Sequence, residues 1–430
     1  MAHFAILCPP FPSHIRALEA IADVLAARGH RLTLLHQADV GSLIRSPAIT
    51  FKPIGALSHP SGTLPGIIRR AGNPGGPLGL MRVIHDMACS TELFCREAPA
   101  LLRQEGVDAL ITDQMEAAGG LVAEALNLPY ISVACALPVN RDPLVPLPVM
   151  PWGYDDSARG QQLNEGSAQV YDLLMYEHAQ VIRRYAQAFG LAPRSTLAEC
   201  LSPYAQISQC VPGFDFPRSV PLPYLHETGP LRSPRLHEPP LILPNKDVPL
   251  RDDRPFVFAS LGTLQGGRFR LFQRIARACQ ALDVQLLIAH CGGLTLEQSL
   301  LLRRAGAQWV TDFVPQRAVL AQADAVITHA GLNTVLDALE AGIPILALPI
   351  AFDQPGVAAR VEYAGVGLRL SHKRATSARL TTALKQLLHD PRFQHNAQSF
   401  SPRVAAAGGA ARAADIIEAV LRRPALERPA

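Results

Sequence analysis

Short apolar runs and amphipathic helical stretches alternate along the first third of the chain. The segment 3–10, HFAILCPP, predicts a buried strand, and 14–30 carries apolar residues at helical spacing as far as Gly29. A second strand at 31–37 follows, and the same succession returns over 107–137. Strand, helix and strand at this spacing predict βαβ units, and therefore a parallel sheet with helices on both faces.

The second half repeats this pattern from Pro255 to about residue 370, so the chain is predicted to be α/β with two doubly wound parallel-sheet domains. A proline-dense stretch between the halves indicates a linker, because proline continues neither helices nor central strands. The expected organisation is an N-terminal domain, a linker, a C-terminal domain and a final helix with a tail, at 1–230, 231–254, 255–410 and 411–430. For the final segment, a return to the N-terminal domain stays open.

The middle of the N-terminal half is less regular. Residues 137–170 are predicted to form a long loop, followed by a helix over 168–190. Residues 54–100 are rich in leucine, isoleucine, proline, methionine and glycine, and we also interpret them as loops.

Composition narrows the function classes. Hydrophobic residues make up 48% and charged residues 18%, which is typical of a globular protein with a large core. The formal charge is +4 without dense basic runs, which argues against nucleic-acid binding. Eight cysteines without a CxxC pair predict buried free thiols and no zinc site. With no basic region before the first apolar run and no run of about 18 apolar residues, we expect a cytoplasmic protein.

Two open α/β sheets in series predict a cleft, and ligands of such sheets bind at the carboxyl ends of the strands. His329, Gly331, Asn333 and Thr334 lie in one strand-to-helix turn of the second half. Free backbone N–H groups and the helix dipole make such a turn an anion site, where a glycine lets the backbone approach a phosphate. The alternative is an ordinary N-cap beside a satisfied histidine.

Acidic and amide residues follow the same turn. Asp337 is placed in about the first helical turn, where it can accept from ribose hydroxyls, or where it merely suits the helix dipole. Asp353 and Gln354 follow the next strand and offer an acid–amide pair for the vicinal hydroxyls of a sugar. The alternative for that pair is an Asx-type turn before Pro355.

Two further segments add candidate ligand-binding residues at the same sheet edge. Gly262 and Thr263 close an earlier strand and can meet phosphate. The segment 312–316 supplies the ring of Phe313, a free backbone edge at Val314 and the amide of Gln316, which suit a flat base and a ribose. The agreement of these positions at the strand ends of one sheet is the main evidence for a nucleotide-sugar site.

The segment from Phe313 to Gln354 resembles the nucleotide-sugar signature of the family 1 glycosyltransferases, which have the two-domain GT-B fold. The resemblance implies that Phe313 stacks on uracil and that the backbone of Val314 binds the edge of the base. It also implies that His329, Asn333 and Thr334 bind the diphosphate. Asp337 would then bind the ribose, and Asp353 with Gln354 the sugar. Plant members usually have Glu where Asp337 stands and Trp where Phe313 stands. The donor class is therefore better defined than the donor sugar.

The first half supplies a candidate base. His14 is placed in the loop after the first strand, facing the cleft, where histidine can take a proton from an attacking hydroxyl. Asp113, at the end of another strand, can orient it. The alternatives are helix caps, by His14 beside Ser13 and by Asp113 for the helix that follows it. The family resemblance implies a base, its partner and an inverting displacement without metal or other cofactor.

The acceptor is less well defined. The two segments around His14 and His329 resemble carotenoid-modifying bacterial members of the family, which implies transfer of glucose from UDP-glucose to the hydroxyls of a lipophilic acceptor. The apolar segments 54–100 and 137–153, with Trp152, are expected to line its groove. A macrolide, polyketide or sterol acceptor, an epimerase and a non-catalytic binder remain alternatives. Segment 66–72 could rest on an anionic membrane or simply pack.

Overall fold

The computed structural model describes residues 1–235, 238–243 and 249–422. The N-terminal domain contains seven strands, β1 to β7, at His3–Leu7, Arg31–Gln37, Ile49–Ile54, Ala109–Asp113, Tyr130–Ala134, Gln206–Ser208 and Leu225–Glu227. Its helices α1 to α6 span Pro12–Ala27, Leu64–Gly72, Pro77–Glu105, Ala118–Ala125, Ala158–Leu174 and Tyr176–Ala188. All strands are parallel, in the order β3-β2-β1-β4-β5-β6-β7.

The C-terminal domain is a second parallel sheet. Its strands β8 to β13 span Phe256–Ser260, Gln285–Ala289, Trp309–Thr311, Ala325–Thr328, Ile345–Ala347 and Gly367–Arg369. Its helices α7 to α13 span Phe269–Ala281, Leu296–Arg304, Gln316–Leu320, Leu332–Ala341, Gln354–Tyr363, Ser377–His389 and Pro391–Ala406. The strand order is β10-β9-β8-β11-β12-β13. Helices cover both faces, so the central strands are fully buried apolar runs, as the sequence pattern predicts.

The final helix, α14 at Gly409–Leu421, lies on the N-terminal domain. Ala413, Ile417 and Val420 belong to the same apolar core as β1 and α1. Glu418 accepts hydrogen bonds from Arg28 and from His30. The chain therefore crosses between the two sheets twice, through the linker and again just before α14.

The linker is described only in part, since 236–237 and 244–248 lie outside the described residues. Within the remainder, Leu241, Leu243 and Leu250 pack against the apolar core of the C-terminal sheet. The tail of the segment 411–430 is described only to residue 422.

The structure corrects one of the two apolar segments that were interpreted as loops. Most of 54–100 is helical, because Pro65 and Pro77 occupy the first turns of α2 and α3, where the missing N–H is tolerated. The predicted loop at 137–170 is confirmed only as far as Ser157, because 158–170 belong to α5. Ser157 is the N-cap of that helix and accepts a hydrogen bond from an amide of its first turn. The single helix predicted over 168–190 is interrupted at Met175, which separates α5 from α6.

None of the described helices is long and apolar enough to cross a membrane. All eight cysteines are free thiols, as predicted, and six of them are buried.

Candidate active site

A cavity of about 650 Å³ lies where the carboxyl ends of the two sheets face each other. Its N-terminal wall comes from the segments after β1, β4 and β5 and from helices α2, α3, α5 and α6. Its C-terminal wall comes from the segments after β8, β9, β10, β11 and β12. Strand ends of parallel sheets place loops and helix N-termini at one edge, so the topology alone concentrates polar groups here.

His14 and Asp113 are in direct contact. Nδ1 of His14 lies 2.6 Å from Oδ2 of Asp113, whose side chain is fully buried behind the imidazole. The other oxygen of Asp113 accepts a hydrogen bond from the amide of Met115 at 2.8 Å. His14 lines the cavity and Asp113 does not. A hydrogen on Nδ1 would satisfy this bond and leave Nε2 as an acceptor.

The structure corrects three interpretations of where His14 and Asp113 lie and what they cap. His14 lies in the first turn of α1 and not in the loop before it. The N-cap of α1 is Phe11, without a side-chain capping bond, so His14 does not cap that helix. Asp113 is not the N-cap of α4, which starts at Ala118.

The pair has the electrostatics of a base and its partner. Burial lowers the pKa of His14, but the charge of Asp113 and the hydrogen bond to it outweigh burial, so the net pKa is raised. Asp353, from the opposite domain, adds a further raising effect on that pKa. The imidazole of the first sheet is thus close enough to a predicted sugar-binding carboxylate of the second sheet to feel its charge.

Cys135 completes a compact group with this pair. The ligand atoms of His14, Asp113 and Cys135 all lie within 4.8 Å of one another, the one such group of three among the described residues. The thiol donates to the backbone oxygen of His14 at 3.7 Å, and burial raises its pKa well above the usual range. His14 is bonded to Asp113 and Cys135 to the backbone of His14, so the three side chains form a hydrogen-bonded cluster.

His329 lies between two glycines in the opposite wall. A Cβ atom added at Gly262 would lie 2.6 Å from its ring, and one at Gly331 would lie 2.5 Å from it. Gly331 gives room to the imidazole and has an ordinary φ of −65°, so the backbone conformation itself does not require a glycine there. The left-handed residue of the turn is Ala330, with φ of 66°. Burial lowers the pKa of His329 to about 4, so the ring is neutral.

The N-terminus of α10 opens onto the cavity beside this ring. Its N-cap is Gly331, which makes no side-chain capping bond, so Asn333 and Thr334 are not caps but lie within the first turn. The first amide to bond within the helix is that of Val335, to the oxygen of Gly331. The preceding amides, at Leu332 through Thr334, are the free N–H groups of a helix start, available to an anion.

Asp337 lies one turn further along α10 than predicted, which excludes the interpretation as a first-turn acid. One of its carboxylate oxygens accepts from Arg232, and the other accepts from Nε2 of Gln316 at 2.7 Å. Burial raises its pKa, against the charge of Arg232. Sequence reasoning missed Arg232, which comes from the linker and carries no motif.

The predicted donor residues divide into two groups. The larger group lines the cavity and consists of Gly262, Thr263, Gln316, His329, Gly331, Asn333, Thr334, Asp353 and Gln354. Phe313, Val314 and Asp337 lie outside its wall, beyond the end of β10 and along α10. Gln316 joins the groups, because it lines the cavity and also bonds Asp337. Phe313 is 67% exposed, so its aromatic face is open to solvent.

Asp353 and Gln354 begin α11. Oδ2 of Asp353 accepts from the amide of Leu137, in the other domain, at 3.4 Å, and burial raises its pKa. It caps no amide of its own helix, so the predicted Asx-type alternative is absent. Oε1 of Gln354 accepts from the amides of Ile350 and Ala351 at 2.9 Å, which leaves its NH₂ group for the cavity.

A buried polar network was not foreseen. Glu116 lines the cavity three residues after Asp113 and accepts hydrogen bonds from Ser90 at 2.8 Å and from Thr91 at 2.7 Å. The hydroxyl of Thr91 also meets Nε2 of His178 at 3.0 Å. Burial raises the pKa of Glu116 to about 7.

Trp152 does not join the cavity wall. Its indole donates to Oδ1 of Asn164 at 3.0 Å, whereas Leu147, Pro148 and Val149 of the same predicted groove do line the cavity.

The chain is similar in sequence to known glycosyltransferases. Residues 253–404 match the family described as UDP-glucoronosyl and UDP-glucosyl transferase. The chain is 47% identical to a zeaxanthin glucosyltransferase of Pantoea ananas, covering 98% of this chain and 96% of that one. It is equally identical to one of Pseudescherichia vulneris, covering 97% and 98%.

Solved structures show the same architecture. The calicheamicin glycosyltransferase CalG4 superposes with a TM-score of 0.74 at 20% identity, covering 98% of this chain and 99% of that one. The glycosyltransferase VinC, solved with dTDP, gives 0.66 at 19% identity, covering 99% and 100%. The expected GT-B fold, with two Rossmann-like domains, is confirmed. The chain belongs to the UDP-glucoronosyl and UDP-glucosyl transferase family, and is a glycosyltransferase.

Proposed function

We propose that this chain transfers glucose from UDP-glucose to the hydroxyl groups of zeaxanthin, with inversion, giving the mono- and the diglucoside. The acceptor follows from the names of the two relatives at 47% identity, which align over nearly the full length. The single structural observation that carries the reaction is the His14–Asp113 contact on one wall of a cavity whose other wall holds the predicted sugar and phosphate residues.

The reaction follows from this arrangement. The acceptor hydroxyl gives its proton to Nε2 of His14 as its oxygen attacks C1 of glucose. The bond between C1 and the diphosphate oxygen breaks on the opposite face, and UDP leaves with the bonding electrons, so the anomeric centre inverts. Asp113 stabilises the imidazolium that forms.

The charge of the leaving group needs stabilisation. The proposal assigns this to the free amides at the start of α10 and to the neutral ring of His329, which donates without bringing a charge of its own. It includes no metal ion or other cofactor. Preorganised donors of this kind are worth about 10²- to 10³-fold in rate each where one has been removed from other enzymes.

The outer residues complete the donor site in this proposal. Phe313 presents an open face for uracil, Val314 a backbone edge, and Asp337 a carboxylate for the ribose, although both of its oxygens already accept hydrogen bonds. Asp353 and the NH₂ group of Gln354 take the hexose hydroxyls, since Asp353 is near His14.

A second candidate keeps the chemistry and changes the acceptor to a macrolide, polyketide or sterol. The apolar side chains in the acceptor wall, among them Ile67, Val83, Met87 and Leu147, favour any lipophilic alcohol. An epimerase is disfavoured, because the buried base pair would have no acceptor to deprotonate.

The test is a glycosylation assay with UDP-glucose and zeaxanthin dispersed in detergent, followed by mass analysis. We expect one and then two hexoses added. His14→Ala should abolish transfer while binding of UDP is retained, and His395→Ala, an exposed histidine on α13, should behave as wild type. Transfer to a macrolide or sterol with none to zeaxanthin would replace the first acceptor by the second. Wild-type UDP binding without any transfer would support a non-catalytic binder.

A lipophilic acceptor also brings contact with a membrane into the proposal. The chain would then act as a peripheral protein at the inner face of the cell membrane, although the cavity itself needs only an acceptor in solution or in a micelle.

A further inference from the structure

Helices α3 and α5 of the N-terminal domain leave apolar side chains in solvent. Leu78 at the start of α3 is 79% exposed and Leu173 near the end of α5 is 73% exposed. The exposed apolar residues of α3 and α5, together with the first residue of α6, are called the docking face. They are Leu78, Leu80, Met81, Leu163, Val170, Leu173, Leu174 and Tyr176. Isolated exposed apolar residues are ordinary, but a group of this size marks an interaction surface.

Helical geometry makes the α5 part of the docking face a stripe. At about 100° per residue, Leu163, Val170 and Leu174 fall within about 40° of one another on the helix surface. The acids of the same helix, Glu165 and Asp172, fall on nearly the opposite side. The stripe is therefore an apolar face with its negative charges turned away.

Helix α6 links the α3 and α5 parts of the docking face, since it packs against both helices. Leu78, Met81 and His85 follow one another at the i, i+3, i+7 spacing of a single helix face. Nδ1 of His85 lies 2.5 Å from Oε1 of Glu177, just after the junction between α5 and α6. This contact joins α3 to the start of α6, which follows α5 directly after Met175.

The inner sides of the same helices line the acceptor part of the cavity. Val83 and Met87 of α3 lie in its wall, and so do Tyr171 of α5 and Met175 at the junction. A lipophilic molecule that enters between these helices would pass from the docking face directly to the wall that leads to His14.

Two exposed cations lie near the start of α3. Arg69 on α2 and Arg82 on α3 are exposed, and neither has an ion-pair partner within the described residues. Of the nearby acids, Asp86 is paired with Arg70, and Glu177 contacts the imidazole of His85.

We propose that the docking face lies on an anionic phospholipid bilayer, with its apolar side chains among the acyl chains and Arg69 and Arg82 at the headgroups. The occupant is a lipid surface because unpaired cations border an apolar stripe and because the same helices open onto a cavity for a lipophilic acceptor. The inference rests on the proposed function, and it deepens it by assigning the source from which the acceptor enters.

The test measures flotation of the full chain with vesicles of phosphatidylcholine alone and with added phosphatidylglycerol. Leu78→Ser/Met81→Ser removes apolar side chains and should lower the partition coefficient at least tenfold, since each buried leucine or methionine contributes to membrane transfer. Arg69→Gln and Arg82→Gln should each lower it about fivefold on anionic vesicles only, and high salt should mimic them. The matched control is Leu296→Ser/Leu300→Ser, two exposed leucines on α8 of the other domain.

Activity separates this inference from the proposed function. All of these variants should glucosylate detergent-dispersed zeaxanthin at the wild-type rate, because none of the changed residues lines the cavity. Only those of the docking face should be slower on vesicle-embedded acceptor. A wild-type chain that works in detergent but does not float, or docking-face variants that float like wild type, would overturn the inference alone. No transfer by wild type in detergent would overturn the proposed function instead.

Discussion

Replacing Asp113 by asparagine tests the catalytic pair without changing its size. The carboxylate has two oxygens, and each accepts from a different N–H group, Nδ1 of His14 and the amide of Met115. Asparagine keeps only one acceptor oxygen. Either the Met115 amide loses its partner, or the imidazole takes the tautomer with hydrogen on Nε2, which cannot accept a proton from the acceptor.

The expected loss can be worked from the contact. A hydrogen bond to a charged group contributes about 1.5–3 kcal/mol, and about 1.4 kcal/mol corresponds to tenfold in rate, so kcat should fall about 10- to 100-fold. The KM for UDP-glucose should stay unchanged, because Asp113 does not line the cavity.

The pH profile gives the sharper measurement. The reaction needs neutral His14, so wild-type activity falls as pH drops through a pKa that Asp113 holds above the ordinary value. In Asp113→Asn, burial acts with less opposition, the pKa falls, and the acid limb of kcat should move to lower pH at a lower plateau. Asp156→Asn, an exposed acid, serves as the control. An acid limb at the wild-type pH, or a change confined to KM for UDP-glucose, would refute the assignment.

Three further changes have expected outcomes. Gly262→Ala places a Cβ 2.6 Å from His329 and should weaken UDP binding, measured by calorimetry, at least tenfold because the ring must move. Glu116→Gln should raise the free energy of unfolding in urea by up to about 3 kcal/mol at pH 8 and by little at pH 4. The reason is that the folded pKa of Glu116 is about 7 against an ordinary 4.5, so the wild type loses stability as pH rises between these two values. Asp215→Ala should cost about 3–5 kcal/mol, because it strands the buried Arg360, 2.6 Å away, and Arg360→Met in the same chain should restore most of it.

Each of these three predictions has a control or an outcome that would contradict it. Gly166→Ala adds a Cβ that meets nothing within 4 Å and should leave UDP binding unchanged. An unfolding difference between Glu116→Gln and wild type that is the same at both pH values would show that the ionisation of Glu116 carries no stability. A double variant no more stable than Asp215→Ala would mean that the stranded charge is not the cause of the loss. Wild-type affinity in Gly262→Ala would show that the position of His329 is not required.

The parts of the site that follow strand ends could be predicted from the sequence, and the parts joined across the fold could not. Buried parallel strands are continuous apolar runs, and the residues after them must reach one sheet edge, which suffices to bring His14 and Asp113 together. By contrast, Glu116 meets Thr91 and, through it, His178, which are joined only by the packing of α3 against α6. Nothing in the local pattern signals such a contact.

Prolines account for the main differences between the predicted and the observed secondary structure. Pro65 and Pro77 indicate breaks when read along the sequence, yet both stand in first helical turns, where proline is compatible with the backbone. The long helix α3 even contains Pro99. The consequence for function was large, because α3 supplies both an acceptor wall and the docking face.

The return of α14 to the first domain bears on how such chains can be recombined. The amide of Gly409 donates to the oxygen of Thr228 at 2.7 Å, so the outgoing and returning crossings lie side by side. A chimera that exchanges acceptor specificity must therefore take two separated pieces, residues 1–230 and the helix from Gly409 onward. A single splice in the linker would pair α1 with a foreign final helix and leave its apolar face, including Ile417, mismatched.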